Sequence, residues 1–248
     1  MSNIHHHLQR FVLLVGLSLF GCLPFVQAAT NCAAVTQIPQ SECEALVDLY
    51  NSTDGAGWLK DANWNDSDPI TSAYWNVTNT PCYWSGIYCR NGHVIKINQY
   101  SNNLDGFIPE SLGNLSNLEN LQLSANKLSG TIPESVGNLS NLQKLYLNGN
   151  QLSGSIPDSL SNLSNLQILN LGYNQLNASI PESLGNLSKL LSLELYSNQL
   201  SGSIPDSLSN LSNLEHLDLD DNQLSGFIPE SLGDLTNLEY LFLNSDSL

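Results

Sequence analysis

Two carboxylates are the side chains of this sequence best placed for chemistry. Glu194 and Asp218 are 24 residues apart, and the same separation recurs between similar segments along most of the chain. If each segment contributes one strand to a parallel sheet, these side chains lie on adjacent strands about 4.8 Å apart. This spacing is near the roughly 5 to 5.5 Å that separates the two carboxyl groups of retaining glycosidases. The pair therefore raises the hypothesis of polysaccharide hydrolysis.

Other features of the sequence argue against an enzyme. We expect an open sheet to offer no buried environment that would raise the pKa of one carboxyl group. The sequence has no nucleophile elbow, HExxH, Walker or dinucleotide-binding motif. Outside the N-terminal segment its histidines, His93 and His216, are far apart. We therefore predict a protein that is not an enzyme and has no cofactor.

The same acidic residues also suggest a binding role. Glu194 and Asp218, together with Asp220 and Asp221, could attract a basic partner or a cation. No calcium-loop motif accompanies them. We therefore predict no metal site.

The elements that position these carboxylates repeat every 24 residues. A leucine begins the pattern LxxLxLxxN six times, and Val94 begins a weaker first copy. These leucines are Leu118, Leu142, Leu166, Leu190, Leu214 and Leu238. A period of 20 to 30 residues with this pattern predicts a curved leucine-rich repeat solenoid of the α/β class, with about seven repeats. Each repeat adds one strand to a parallel sheet on the concave face.

Within a repeat, the residue types indicate which side chains face the core and which face solvent. In LQKLYLNGN, Leu145 and Leu147 flank Tyr146, which predicts a strand with leucines inward and tyrosine outward. An asparagine follows each strand, where its amide can hydrogen-bond the backbone in a buried ladder. The predicted ladder comprises Asn102, Asn126, Asn150, Asn174, Asn198 and Asn222.

Two positions depart from the repeat. Asn177-Ala178 stands where the other copies have Ser-Gly, so we expect a local difference in that turn. Gln99 occupies an inward position where later repeats have leucine. We expect Gln99 to pack against polar groups of the preceding segment.

The outward strand positions are free to vary, so we predict ligand binding there. Lysines (Lys96, Lys127, Lys144) come early, carboxylates come late, and aromatic residues occur throughout. Aromatic side chains are favoured at binding surfaces, although ordinary solvated tyrosines are the alternative. The predicted ligand-binding residues are Tyr100, Tyr146, Asn148, Asn170, Tyr173, Glu194, Tyr196, His216, Asp218, Asp220, Tyr240 and Phe242.

Residues 1–29 resemble a secretion signal. Arg10 precedes the apolar run FVLLVGLSLFGCLPFV, and cleavage is expected after Ala28 or Ala29. The run is short for a bilayer span, so we predict no membrane insertion of the mature chain. The segment ending at Cys22 loosely resembles a bacterial lipobox. We predict a secreted protein, extracellular or at the cell surface, or a periplasmic protein or lipoprotein if the source is bacterial.

The formal net charge of −16 comes with only seven basic residues. Because no Lys/Arg cluster could follow a phosphate backbone or an anionic bilayer, nucleic acid and membrane surfaces are excluded as partners.

Residues 30–93 differ in composition, because they hold all four tryptophans and all four cysteines of the mature chain. An even number of cysteines behind a secretion signal predicts disulfides; zinc is the alternative, but no CxxC spacing occurs. Cys82 and Cys89 close a small loop that leads into the first strand, so we pair them. This leaves Cys32 with Cys43, although three connectivities are open.

The same segment should form a lid. A capping-box spacing from Ser41 to Glu44 predicts a short amphipathic helix that begins near Glu42. The first repeat of a solenoid needs cover for its open core, which the aromatic residues can supply. We therefore assign residues 30–93 to an N-terminal capping domain and residues 94–248 to the repeats.

The stretch EALVDLYNSTDGAGW, the CxWxGxxC element from Cys82 to Cys89 and repeats of the form LxxLxLxxNxLSGxIPxSLGNLSN resemble the plant-type leucine-rich repeat family. That family includes receptor-kinase ectodomains and polygalacturonase-inhibiting proteins, and similar secreted proteins occur in bacteria and protists. The resemblance covers nearly the whole mature chain.

From these features we predict a secreted recognition protein that binds a protein or polysaccharide ligand on its concave sheet. The resemblance implies an alternative, an inhibitor of a cell-wall-degrading glycosidase. The alternative of another class is a carbohydrate-active enzyme that uses Glu194 and Asp218.

Two remaining patterns concern the surface. The last copy stops at Leu248 without a capping segment, leaving Leu238, Leu241 and Leu243 without a following neighbour, so self-association or fraying is expected there. Asn-x-Ser/Thr sequences predict a glycoprotein if the source is eukaryotic. They begin at Asn51, Asn65, Asn76, Asn114, Asn138, Asn162, Asn177, Asn186 and Asn210.

Overall fold

The computed structural model describes residues 30–59 and 79–244. The predicted signal segment 1–29, the sequons at Asn65 and Asn76, and the last four residues lie outside the described residues.

The described residues form fourteen short strands. In chain order they are β1 (Ile87–Arg90), β2 (His93–Asn98), β3 (Asp105–Phe107), β4 (Asn120–Gln122), β5 (Lys127–Gly130), β6 (Lys144–Tyr146), β7 (Gln151–Gly154), β8 (Ile168–Asn170), β9 (Gln175–Leu176), β10 (Ser192–Glu194), β11 (Ser201–Gly202), β12 (His216–Asp218), β13 (Gln223–Leu224) and β14 (Tyr240–Phe242).

The main sheet has eight strands in the order β1-β2-β4-β6-β8-β10-β12-β14. β1 pairs antiparallel with β2, and every later strand adds in parallel, one repeat at a time. The register joins equivalent positions, so Leu145 pairs with Leu169 and Leu193 pairs with Leu217. The predicted leucine-rich repeat solenoid with a parallel sheet is therefore confirmed.

The chain returns through a second layer of short strands and 3-10 helices. The strands form a four-stranded group, β3-β5-β7-β9, and a pair, β11-β13. The 3-10 helices are Cys32–Ala34, Gly55–Gly57, Pro81–Tyr83, Glu110–Asn114, Glu134–Asn138, Asp158–Asn162, Glu182–Asn186, Asp206–Asn210 and Glu230–Asp234. Adjacent repeats approach closely here: a β-carbon on Gly137 would lie 2.3 Å from the carbonyl oxygen of Ser159, so only glycine fits.

Leucines from both layers fill the interior. The central leucine of each of the main-sheet strands β4, β6, β8, β10 and β12 is fully buried. Because each repeat buries its leucines against the next, the core is continuous along the solenoid.

An asparagine ladder runs beside this core. Asn150 accepts a hydrogen bond at Oδ1 from the backbone N–H of Leu128 (3.0 Å), and its Nδ2 donates to the carbonyls of Leu123 (3.0 Å) and Leu147 (2.9 Å). The same bonds recur at Asn174, Asn198 and Asn222. The ladder satisfies buried backbone groups where each strand ends.

The ladder changes at its first member. Asn102 donates from Nδ2 to Oε1 of Gln99 (2.6 Å), and its Oδ1 has no hydrogen-bond partner among the described residues. Gln99 in turn donates to the carbonyl of Ser85 in the cap (2.7 Å), which confirms the expected polar packing of this residue.

The cap contains helix α1 (Gln40–Ser52) and two disulfides. The predicted pairs Cys32–Cys43 and Cys82–Cys89 are confirmed. The predicted short helix near Glu42 is confirmed and begins at Gln40 after Pro39. The predicted capping box is wrong, because no side-chain capping bond forms. The boundary predicted between residues 93 and 94 stays a prediction, and strand β2 crosses it.

Glu44, the acid of the predicted capping box, instead accepts at Oε1 from Nε2 of Gln40 (2.7 Å). Glu42 has a different role. Its side chain is buried, with Oε2 accepting from the backbone N–H of Val94 (2.8 Å) and Oε1 lying 2.6 Å from Nδ1 of His93. The carboxylate joins the cap to the first strand of the repeats.

The turn at Ala178 keeps the backbone of its neighbours. Its φ is +67°, against +80° for Gly154 and +82° for Gly202 at the equivalent positions. The expected local difference is therefore confined to strain at an alanine in the left-handed region.

The last described repeat is poorly covered. Leu241 is 44% exposed, whereas its equivalents in β4 to β12 are fully buried. Across residues 30–59 and 79–244, the chain forms no helix with the length and apolar character needed to cross a bilayer.

Candidate functional site

The concave face is defined by the outward side chains of the main sheet. In each repeat the first and third strand residues and the residue two places further share this face, because side chains alternate along a strand. Hydrogen-bonded register aligns equivalent residues of neighbouring strands into columns. The middle column contains Asn98, Gln122, Tyr146, Asn170, Glu194, Asp218 and Phe242.

This geometry brings most of the predicted ligand-binding residues onto one surface. Lys127 is an exception among the residues of the predicted charge gradient, because it begins β5 in the second layer. Tyr100 stands at the cap end and is 54% exposed. Asn148 and Asp220 lie in the third column, where Asn148 accepts from Oγ of Ser124 (2.6 Å).

Five residues near the middle of the face form what we call the Asn170 cluster: Tyr146, Asn170, Tyr173, Glu194 and Tyr196. Strand β8 places Asn170 between Tyr146 of β6 and Glu194 of β10. Asn170 was predicted to contact ligand, yet it is only 7% exposed. It accepts from the N–H of Gly172 (3.1 Å) and donates to Oε2 of Glu194 (2.5 Å). In this structure it therefore holds Glu194 in place.

Two tyrosines complete the cluster. The rings of Tyr173 and Tyr196 pack edge to face, with centroids 5.1 Å apart and an interplanar angle of 86°. A β-carbon on Gly172 would lie 2.5 Å from Cε1 of Tyr196, so the ring occupies the space that glycine leaves. Edge-to-face pairs add about 0.5 to 1.5 kcal/mol beyond burial. The Tyr196 ring is thus held from two sides.

The environment of the cluster raises the pKa values of two of its tyrosines. Partial burial, and then the charge of Glu194, raise the pKa of Tyr146. Burial and Glu194 likewise raise the pKa of Tyr196, while a hydrogen bond with Asn170 lowers it. Both phenols therefore lie within electrostatic range of the Glu194 carboxylate and stay neutral at physiological pH.

Asp218 pairs with Glu194 on the adjacent strand, as the repeat spacing predicted. Burial raises the pKa of Asp218 above its usual value, opposed by a hydrogen bond from the N–H of Asp220 (3.1 Å) and reinforced by the charge of Asp220. The expectation that an open sheet has no environment able to raise a carboxyl pKa was wrong, because neighbouring side chains exclude water from part of the face.

A second group of aromatic side chains lies on the last two strands of the main sheet, β12 and β14. The ring of His216 is 5.6 Å from the rings of both Tyr240 and Phe242, measured between centroids. These side chains form an aromatic patch beside Asp218. The two groups together cover the C-terminal half of the concave face.

Sequence reasoning missed Ser192 and Gly172. Ser192 donates from Oγ to Oε1 of Glu194 (2.9 Å), and Gly172 accommodates the Tyr196 ring. Ser192 could have been found by reading the first column as well as the other two. For Gly172 the only signal was a missing side chain in a column that otherwise carries larger residues.

No metal centre is evident in the part of the chain that the structure describes, where no three His, Cys, Asp or Glu side chains are grouped to hold an ion. The concave face instead offers fixed aromatic rings and oriented carboxylates. Such an arrangement suits reversible binding of a ligand.

Family comparisons agree with this architecture. A family model described as "Leucine rich repeat" matches residues 99–152 and 192–248, and one described as "Leucine Rich repeats (2 copies)" matches residues 140–187. A probable LRR receptor-like serine/threonine-protein kinase of Arabidopsis thaliana is 43% identical over 60 residues. The match spans 23% of this chain and 9% of the kinase.

Two solved structures extend the likeness over most of the chain. One is the Arabidopsis receptor kinase HAESA in complex with the peptide hormone IDA and the co-receptor SERK1. It is 35% identical to this chain with a TM-score of 0.64, and the match covers 81% of this chain and 33% of that chain. The other is the BIR3–SERK2 complex from Arabidopsis thaliana. The matched chain is 34% identical with a TM-score of 0.57, and the match covers 75% of this chain and 95% of that chain. The chain thus spans less than two thirds of the kinase and of HAESA but nearly all of the shorter structure.

Proposed function

The chain belongs to the leucine-rich repeat family, and on this premise we propose that it is a non-enzymatic recognition protein that works outside the cell. Its ligand is a peptide or a peptide segment of a protein, bound on the concave face. The Asn170 cluster forms the centre of the binding site.

The observation that carries this proposal is the Asn170 cluster itself. Its residues are not required by the repeat, since the equivalent positions vary in residue type from copy to copy. Its hydrogen bonds and ring contacts nevertheless hold Glu194 and Tyr196 in defined positions before any ligand is present. Binding is favoured when contact groups need little further ordering.

Two facts from related proteins support a peptide ligand. HAESA, which this chain resembles, is described in complex with a peptide hormone. BIR3 and SERK2 are described in a complex with each other, so this architecture also serves protein partners. An extended peptide could lie across the columns of the concave face, whereas a larger partner would need more of the solenoid.

The proposal is tested with a displayed random peptide library and an array of cell-wall oligosaccharides. We expect the secreted chain to capture peptides, and Tyr146→Ala combined with Tyr196→Ala to abolish capture. Tyr83→Ala is the matched control, because Tyr83 is an exposed tyrosine of the cap. Capture of oligosaccharides but not peptides, or full capture by the double variant, would contradict the proposal.

The enzyme alternative is tested separately. Glu194 and Asp218 occupy adjacent strands, and burial raises the pKa of Asp218, which are two features of a glycosidase pair. We expect no hydrolysis of cell-wall polysaccharides by the wild type above the level of a Glu194→Gln, Asp218→Asn double variant. Activity that this double variant loses would establish an enzyme.

A further inference from the structure

Charge is distributed unevenly over the concave face. The early strands carry Lys96 and Lys144, whereas the later repeats carry Glu194, Asp218 and Asp220. In the described ranges the ion pairs are Arg90–Glu119 and His93–Glu42, and neither includes these three carboxylates. The C-terminal half of the face therefore presents carboxylates that form no ion pair with another described residue.

Glu194 is held by neutral donors only. Ser192 donates to Oε1 and Asn170 donates to Oε2, so each oxygen receives one hydrogen bond from these groups. A carboxylate offers about four acceptor positions in total. These donors fix the direction of the carboxylate without removing its charge, and they leave acceptor positions for a ligand.

Two tyrosines share the concave face with this carboxylate, on the side of the preceding repeats. Tyr146 lies two strands away across Asn170, and Tyr196 lies two residues further along the chain from Glu194. Partial burial, and after it the charge of Glu194, raises the pKa of both phenols. A cation over the face of a tyrosine ring is attracted by the ring quadrupole, and a carboxylate beside it adds a charge-assisted hydrogen bond.

From this arrangement we propose that the concave face binds a peptide that places an arginine or lysine side chain on Glu194, beside the tyrosines of the Asn170 cluster. The inference rests on the proposed function and adds the chemistry of the ligand. Charge complementarity is its basis.

The same observations disfavour the other occupants. A neutral sugar would leave the charge of Glu194 without compensation while covering it from water, which is unfavourable. A uronic acid would be repelled by Glu194, Asp218 and Asp220. A basic side chain instead loses water of hydration but gains contacts with the carboxylate and the neighbouring tyrosine rings.

The experiment uses a positional-scanning library of blocked heptapeptides. We expect peptides bound by the wild-type chain to be enriched in arginine or lysine at one position. For Glu194→Gln that enrichment should disappear. Glu134→Gln is the matched control, because Glu134 is an exposed glutamate that begins a 3-10 helix away from the concave face, and the enrichment should persist in it.

A second measurement removes the charge from the ligand. If arginine is the enriched residue, one selected peptide is remade with citrulline; if lysine is enriched, it is remade with acetyl-lysine. We expect about 10- to 100-fold weaker binding to the wild type and little change for Glu194→Gln. Peptides captured without any basic preference would overturn this inference and leave the proposed function standing. If no peptide is captured, both fail.

Discussion

The ring of Tyr196 fills the space above Gly172: a β-carbon at residue 172 would come within 2.5 Å of Cε1 and 2.6 Å of Cζ of that ring. The two residues lie on neighbouring repeats, so one repeat supplies the gap and the next supplies the ring. A surface tyrosine is thereby held in one position, which an isolated repeat could not achieve.

Gly172→Ala should displace the Tyr196 ring and break its edge-to-face contact with Tyr173. Because the atoms in the way belong to the far end of a side chain, the fold should change in stability by less than about 1 kcal/mol. Peptide binding should weaken about tenfold, measured by calorimetry. Gly233→Ala is the control, since a β-carbon there meets nothing within 4 Å. Unchanged binding by Gly172→Ala would show that the position of Tyr196 is unimportant.

Ala178→Gly should stabilise the protein. Ala178 has a φ of +67°, and a non-glycine residue in the left-handed region costs about 1 to 2 kcal/mol. Because glycine adds unfolded-state entropy, we expect a net gain of about 1 kcal/mol in the free energy of unfolding in urea. The reverse change at the equivalent turn, Gly202→Ala, should cost a similar amount. A destabilised Ala178→Gly variant would contradict this explanation.

The interior asparagines of the ladder should contribute more to the free energy of unfolding than the first one. Asn150→Ala leaves the N–H of Leu128 without its partner and removes one of the two side-chain hydrogen bonds that the carbonyls of Leu123 and Leu147 each accept, so we expect a loss of about 3 kcal/mol. Asn102→Ala should cost about 2 kcal/mol less, because Asn102 bonds only Gln99 through its side chain. Urea unfolding of both variants measures the difference, and equal losses would be inconsistent with the ladder as described.

Asp218→Asn should change how stability depends on pH. The pKa of Asp218 in the folded protein is raised above its usual value of 3.8, so just above that pH the folded state keeps a proton that the unfolded state has released. The wild type therefore loses stability as pH rises through this window. Asparagine keeps the bond from Asp220 and removes the charge.

The Asp218→Asn variant should accordingly be more stable than the wild type at pH 7 and equal to it below about pH 3.8, as followed by thermal unfolding across pH. Asp206→Asn, on an exposed 3-10 helix, serves as the control. A variant that is less stable than the wild type at pH 7 would show that ionised Asp218 is favourable in the fold.

Periodicity in the sequence was enough to predict the strands, the inward leucines and the outward columns, because one rule applied to every repeat. Both disulfides were also predicted correctly, since few cysteines were available. The capping box was wrong because its predicted acid, Glu44, accepts from Gln40 instead. The local sequence also did not show that Glu42 would be buried and accept from the N–H of Val94. A contact with a residue so distant in sequence leaves no local pattern.

The candidate site was predictable only in outline. Repeat position showed that Asn170 and Tyr196 face the same side of the sheet. It did not show that Asn170 would be buried under its neighbours or that Tyr196 would lean over Gly172. These outcomes depend on side-chain conformations across three strands, and the same packing produces the raised pKa of Asp218.

The central claim is that the Asn170 cluster binds a peptide ligand. Calorimetric titration of a captured peptide into the wild type, the Tyr146→Ala, Tyr196→Ala double variant and Tyr83→Ala tests it most directly, with unfolding curves to verify that each variant is folded. We predict at least about a 100-fold loss of affinity for the double variant, as expected when two aromatic anchors are removed, and none for Tyr83→Ala. Equal affinities for all three folded proteins would contradict the account.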